Sequence, residues 1–206
     1  MIKDRVEAGQ FLGDKLIKCN LESPTVLAIP RGGIIVGHEI AKKLGCKLDV
    51  VISKKITPAE NPEYAIGAIT HDGTLYKGNY WNNYSSDESF ADELTRKKQE
   101  VKRRLEEYRK TTEYDLEGKT IVLVDDGIAT GSTAFAILNW LSKQRMKKVL
   151  LTIPVIPADT YEAIKDKVSD VVTLQIPTSF SSVGQFYSSF EQVSDDEVKK
   201  ILVQYD

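Results

Sequence analysis

Residues 119–133, KTIVLVDDGIATGST, decide how the chain is read. Ile121, Val122, Leu123 and Val124 make an apolar, mostly β-branched run of the kind that forms a strand buried on both faces. Asp125 and Asp126 follow, then a loop of small and hydroxylated residues, and residues 134–141 return to helical spacing. The loop therefore joins the carboxyl end of a strand to the amino end of a helix, where unpaired N–H groups and the helix dipole favour a phosphate. Gly127 and Gly131 allow a tight turn and close approach to that anion, while Thr130, Ser132 and Thr133 add hydroxyl donors. Adjacent strand residues face opposite ways, so Asp125 and Asp126 can serve one ligand only where the chain is leaving the strand. Carboxylates repel phosphate. Beside it they suit neutral hydroxyls, such as those of a ribose whose 5-phosphate fills the loop.

A second junction of the same kind lies upstream. Residues 25–29 read as a buried strand, Pro30-Arg31-Gly32-Gly33 as a turn, and the residues through Leu44 as a helix. Gly32 and Gly33 expose backbone N–H groups, and Arg31 adds a planar donor fork suited to phosphate oxygens; a plain Gly-Gly helix entry with a solvated arginine is the alternative. Residues 48–52 form a third buried strand, so strand, helix and strand make a right-handed βαβ unit and a parallel sheet.

The sequence has 206 residues and 41% hydrophobic content, enough for one sizeable core, and its formal charge of −2 sets up no general attraction to nucleic acid or membrane. No apolar h-region opens it, and no apolar run nears the ~18 residues of a membrane span, so a cytoplasmic protein is expected. Cys19 and Cys46 read as reduced thiols. With His38 and His71 they lack metal-ligand spacing, so no metal site built from protein ligands alone is expected.

Residues 122–133 resemble the phosphoribosyl pyrophosphate (PRPP) signature of the type I phosphoribosyltransferases: apolar strand, acidic pair, two spacers, then a small residue and Thr-Gly-Ser-Thr. The resemblance implies an α/β fold with a doubly wound, mostly parallel open sheet and helices on both faces. It implies transfer of the 5-phosphoribosyl group from PRPP to a nitrogen acceptor, a nucleobase, with release of pyrophosphate. On that reading Asp125 and Asp126 hold the ribose, and Gly127, Ala129, Thr130, Gly131, Ser132 and Thr133 surround the 5-phosphate. Arg31, Gly32 and Gly33 hold the pyrophosphate, in a turn where the family often carries a non-proline cis peptide. Arg31, Lys54 and Lys55 assist its departure, and Mg2+ is bound mainly through PRPP oxygens. A homodimer is expected, and nucleic acid is not an expected partner. Two departures stand out. The 6-oxopurine enzymes carry an aspartate where this chain has Ala129, the residue of the adenine enzymes, and relatives usually carry a bulky aliphatic where it has Gly127. Hypoxanthine and guanine are therefore disfavoured as acceptors, and adenine is not identified.

The remaining stretches fill in the plan of one domain over residues 1–206. Residues 3–18 suggest a helix with an apolar stripe of Val6, Phe11, Leu12, Leu16 and Ile17, carrying no function. Residues 53–63, polar and bracketed by Pro58 and Pro62, read as a mobile loop, with Lys54 and Lys55 either reaching the pyrophosphate or simply solvated. Residues 61–68 enter a strand that runs to Thr70, and the turn 71–73 with the run 74–77 suggests a hairpin whose turn places His71 in solvent. Residues 79–117 read as a helical insertion, capped by Asp87 or Ser89, its highly charged helix over residues 90–110 having a sparse stripe of Leu94, Val101, Leu105 and Tyr108. Strands over residues 147–153, closed by Pro154, and 171–176 flank a short helix and complete the sheet. The tail, residues 177–206, has Phe180, Phe186, Tyr187 and Phe190 to stack on an acceptor ring as a hood, or to pack the tail onto the core, and Ser194 with Glu197 as a capping box. The alternative function is a PRPP-sensing regulator that binds RNA or DNA through the basic residues of that helix.

Overall fold

Every residue of the run 120–124 is buried, and the run is the central strand of a five-stranded parallel sheet. The computed structural model describes residues 1–58, 65–85 and 88–205. In chain order its elements are α1 (Arg5–Ile17), β1 (Pro24–Ala28), α2 (Gly33–Leu44), β2 (Lys47–Val50), β3 (Ser53–Ile56), β4 (Gly67–Thr70), β5 (Leu75–Lys77), α3 (Trp81–Tyr84), α4 (Glu88–Arg109), β6 (Thr120–Val124), α5 (Ser132–Leu141), β7 (Lys148–Val155), α6 (Ala158–Ile164), β8 (Asp170–Gln175) and α7 (Asp195–Leu202). They form two compact units, residues 1–51, 115–130 and 145–206 on the one hand, and 52–114 with 131–144 on the other.

The first unit holds the parallel sheet in the order β2-β1-β6-β7-β8, as the mostly parallel α/β reading requires. From β1 the chain winds through α2 to β2; from β6 it leaves in the other direction and returns as β7. Neighbouring β1 and β6 are thus the switch point of the sheet, and the loops after them diverge from one crevice, the place where open α/β sheets bind ligands. Leu12 and Leu16 of α1, Ile34 and Ile40 of α2, and Leu27, Ile121 and Leu123 of the sheet are all fully buried, each worth about 1.5–3 kcal/mol. The expected stripe on α1 is corrected: Val6, Phe11 and Ile17 are 40–49% exposed, and Ala8, Gly9, Leu12, Gly13 and Leu16 form the buried face. These small residues let α1 lie close against α2, which apolarity alone did not mark. Strand β7 also runs on through Pro154 to Val155 instead of closing there. Ile156 donates to Gln175 O, so by the two-residue period Pro154 would face β8 with no N–H to offer, and Lys15 Nζ supplies a donor to Thr173 O there (2.7 Å).

The second unit is built on the antiparallel sheet β3-β4-β5. Ser53–Ile56 is strand, not loop: it pairs with the wholly buried β4, and that partner outweighs its poor apolar content. Residues 59–63 of the expected mobile loop and the proposed cap Asp87 lie outside the described residues, as does the side chain of Ser89. The hairpin of β4 and β5 forms as expected. Ile56, Ile66, Ile69 and Trp81 make a core of their own, with Leu75, Tyr84, Phe90 and Leu94 against it. The stripe of α4 is buried at Val101 (1%), Leu105 (0%) and Tyr108 (7%), so this helix closes a core despite its charged surface. Helix α5 packs here too, Phe135 stacking on Tyr76 (4.8 Å) and Asn139 Nδ2 donating to Leu75 O (2.9 Å). His71 is not in solvent: it is half-buried against Tyr114 (5.4 Å) and Trp140 (5.2 Å), and burial is the main cause that lowers its pKa.

Candidate active site

The two loops at the switch point meet in the first unit. Strand pairing carries on past β1, where Ile29 N donates to Val124 O (2.8 Å), so Asp125 is delivered beside the turn at residues 30–33. A Cβ on Gly33 would lie 2.9 Å from Asp125 Cα, and one on Gly32 only 1.7 Å from Asp126 Oδ2. Both glycines are there because the acidic pair lies directly against the turn. A non-proline cis peptide is present at Pro30–Arg31, in the turn where the family resemblance placed one. Arg31 itself is 38% exposed, its Nη1 4.0 Å from Asp195 Oδ1, an ion pair that holds it only loosely.

The two carboxyls differ. Asp125 accepts the Asp126 N–H (2.8 Å), and its pKa is raised well above the usual carboxylate range, first by burial and then by the charge of Asp126. Asp126 is paired: Arg5 Nε lies 2.7 Å from its Oδ2, with the two side chains only 11% and 16% exposed. Its backbone carbonyl accepts the Tyr187 hydroxyl (2.6 Å). The pKa of Tyr187 is raised, chiefly by burial and next by Asp126.

Past the acids the loop stays tied to the sheet, Ile128 N donating to Val155 O (3.0 Å) and Thr160 Oγ1 to Ala129 O (2.8 Å). Ala129 and Thr130 are exposed, Gly131 turns at φ 74°, and Ser132 and Thr133 open α5 in the second unit. A Cβ on Gly127 would stand 2.4 Å from Val183 Cγ1, so the tail fills the space that a larger side chain at this position would need. Next to Ala129 and Thr130 a cleft of about 560 Å³ opens, bounded by Pro157, Asp159, Thr160, Thr178, Phe180 and Ser181. Phe180 stacks on Phe186 (5.7 Å) at its side.

Lys54 and Lys55 belong to the second unit. Both are exposed on β3, Lys54 paired with Glu100 of α4, and burial followed by Lys97 and Arg104 lowers the pKa of Lys54. Ser53 Oγ donates to Thr133 O (3.1 Å), which ties their strand to the first turn of α5. Arg5, Val183 and Thr160 were invisible as site residues in the sequence; Arg5 lies 121 positions from the carboxylate it holds. Tyr187 carried a signal only as one of the aromatics of the tail.

A family model for the phosphoribosyl transferase domain matches residues 4–191. The chain belongs to this family. As a phosphoribosyl transferase domain it is 37% identical, over 205 residues and 98% of its length, to Rv0571c of Mycobacterium tuberculosis (strain ATCC 25618 / H37Rv), and it spans only 46% of that relative. The crystal structure of TT1426 from Thermus thermophilus is similar with a TM-score of 0.84 and 35% identity, covering 99% of this chain and 98% of that one. A hypoxanthine phosphoribosyltransferase from Staphylococcus aureus, at TM-score 0.51 and 14% identity over 86% of this chain and 75% of its own, shares the fold alone. The resemblance to the type I phosphoribosyltransferases and the α/β fold expected from it are both borne out. No helix among the described residues is long and apolar enough to cross a membrane.

Proposed function

We propose that this domain transfers the 5-phosphoribosyl group of PRPP to a nitrogen of a nucleobase and releases pyrophosphate. The observation that carries the reading is the acidic pair at the carboxyl end of β6, set against the Gly32-Gly33 turn at the switch point of a phosphoribosyl transferase domain. Asp125 and Asp126 hold the ribose hydroxyls, and the N–H groups and hydroxyls from Ala129 to Thr133 hold the 5-phosphate. The turn with Arg31 takes the pyrophosphate. The acceptor nitrogen attacks the anomeric carbon as its bond to the pyrophosphate oxygen breaks, so positioning and neutralisation of the leaving group supply the catalysis.

Among the described residues no three His, Cys, Asp or Glu side chains gather on one point. A magnesium ion is, on this reading, held mainly by PRPP oxygens and water. Such an ion, when bound, neutralises charge on the leaving pyrophosphate.

The acceptor fits the cleft beside Ala129, whose volume of about 560 Å³ suits one planar base. Phe180 offers an aromatic wall, and the exposed carboxylate of Asp159 accepts a ring N–H or an exocyclic amino group. The regulatory alternative leans on the basic residues of α4, but there Arg96 and Lys97 pair with Glu93 and Arg103 with Glu107, which leaves them less charge for a nucleic acid. Pyrophosphate release is to be measured with magnesium, PRPP and a panel of purine and pyrimidine bases. Release with at least one base is expected. Silence with all of them, together with salt-sensitive binding of RNA or DNA, would favour the regulator.

A further inference from the structure

The segment before α1 and the tail are knitted together above Asp126. Ile2 N donates to Phe186 O (2.9 Å), Ser188 N to Ile2 O (2.8 Å) and Ser189 N to Lys3 O (2.9 Å), a short pairing between stretches far apart in the chain. Asp4 then caps α1 by accepting the Glu7 N–H (2.9 Å), which fixes the direction in which Arg5, the first helical residue, leaves the backbone. Its guanidinium is held on three sides. Nε reaches Asp126 Oδ2 (2.7 Å), Nη1 donates to Glu191 O (2.7 Å), and Cζ lies 3.8 Å from the centre of the Phe190 ring. The backbone of the same aspartate is gripped by the Tyr187 hydroxyl.

We infer that Arg5 is a positioning residue for PRPP, acting through Asp126: the fixed guanidinium aims the carboxylate at the Gly32 turn, where the ribose and the pyrophosphate adjoin. This rests on the reading of the site proposed above. A planar fork locked by a ring and a carbonyl gives a carboxylate one orientation, which a flexible ammonium does not. Orientation is needed because Asp125 and Asp126 leave the strand as neighbours and must face one sugar. The pair is also nearly out of water, so removing Arg5 leaves an uncompensated charge that turns toward solvent, which spoils the acceptor geometry.

The test is a double-mutant cycle read as the Kd for PRPP, by calorimetry with magnesium, for wild type, Arg5→Met, Asp126→Asn and the double variant, each with its thermal melt. Arg5→Met is expected to weaken PRPP about tenfold in the wild-type background and less than about twofold on Asp126→Asn, because the group it acts through is already neutral. Arg5→Lys, which keeps the charge and loses the fork, is expected to recover only part of the loss, and it serves for the cycle if Arg5→Met does not fold. An unchanged Kd in Arg5→Met, or the same loss in both backgrounds, would overturn the inference while the site reading stands. Failure of the wild-type protein to bind PRPP in the same titration would instead overturn the site reading, and this inference with it.

Discussion

A Cβ on Gly127, whose φ is 157°, would come within 2.4 Å of Val183 Cγ1, so a neighbour from the tail adds to the backbone conformation in calling for glycine here. Gly127→Leu is therefore expected to destabilise the protein by about 1–3 kcal/mol, and Val183→Ala to restore part of that loss, in urea denaturation of the single and double variants. Equal losses with and without Val183 would remove the tail from this role. Asp125 makes a second prediction. Its pKa is raised in the folded protein, so between the ordinary carboxylate pKa of ~3.9 and that raised value the native state binds more protons than the unfolded chain, and stability falls as pH rises through that window. Asp125→Asn is expected to be more stable than wild type at pH 7.5, with the difference closing as the pH drops below ~4. A difference that stays constant with pH would mean that the Asp125 proton is not the cause. Chemical identity at this scale was legible in the sequence for residues inside one contiguous motif. The residues that tune the motif, Arg5 and Val183, come from distant segments, and nothing in their local context sets them apart from other arginines and valines.

At the scale of the element, α4 was the hardest to read. Its sparse stripe marks one apolar face on a highly charged helix without saying what covers it, and Leu105 is fully buried within the second unit. Leu105→Ala is expected to cost about 2–5 kcal/mol, measured by denaturant unfolding, whereas an appended helix would lose less than about 1. Strand β3 was read as a loop for a related reason: two lysines in four residues give no alternation, and only its pairing with β4 supplies the missing apolar contact. His71 was placed in solvent because it sits in a turn, and it is held instead between the rings of Tyr114 and Trp140. Its lowered pKa means that, as pH falls through ~6.5, the unfolded chain takes up a proton that the folded one resists, and stability is lost. His71→Phe is expected to flatten the decline in melting temperature between pH 7 and 5, and His38, whose pKa is also lowered, leaves the remainder. By contrast β1, β6 and β7 were legible, because a strand buried on both faces writes itself as a short continuous apolar run.

For the whole molecule, the parallel sheet follows from the βαβ spacing, and the switch point follows from the order of the strands. That order brings together two loops which the sequence could only mark separately as anion-binding turns. What the sequence could not express is how the tail and the segment before α1 return to the same crevice, since backbone pairs such as Ile2 with Phe186 depend on no side-chain pattern. The central claim is that a sugar phosphate seats at the loop after β6, hydroxyls toward Asp125 and Asp126 and phosphate toward the residues from Ala129 to Thr133. A crystal soaked in ribose 5-phosphate tests it most directly. The account predicts density for the phosphate among the N–H groups of that loop, with the ring hydroxyls within hydrogen-bonding distance of the two carboxylates. A sugar phosphate lodged elsewhere, with both aspartates still turned away from it, would contradict the account.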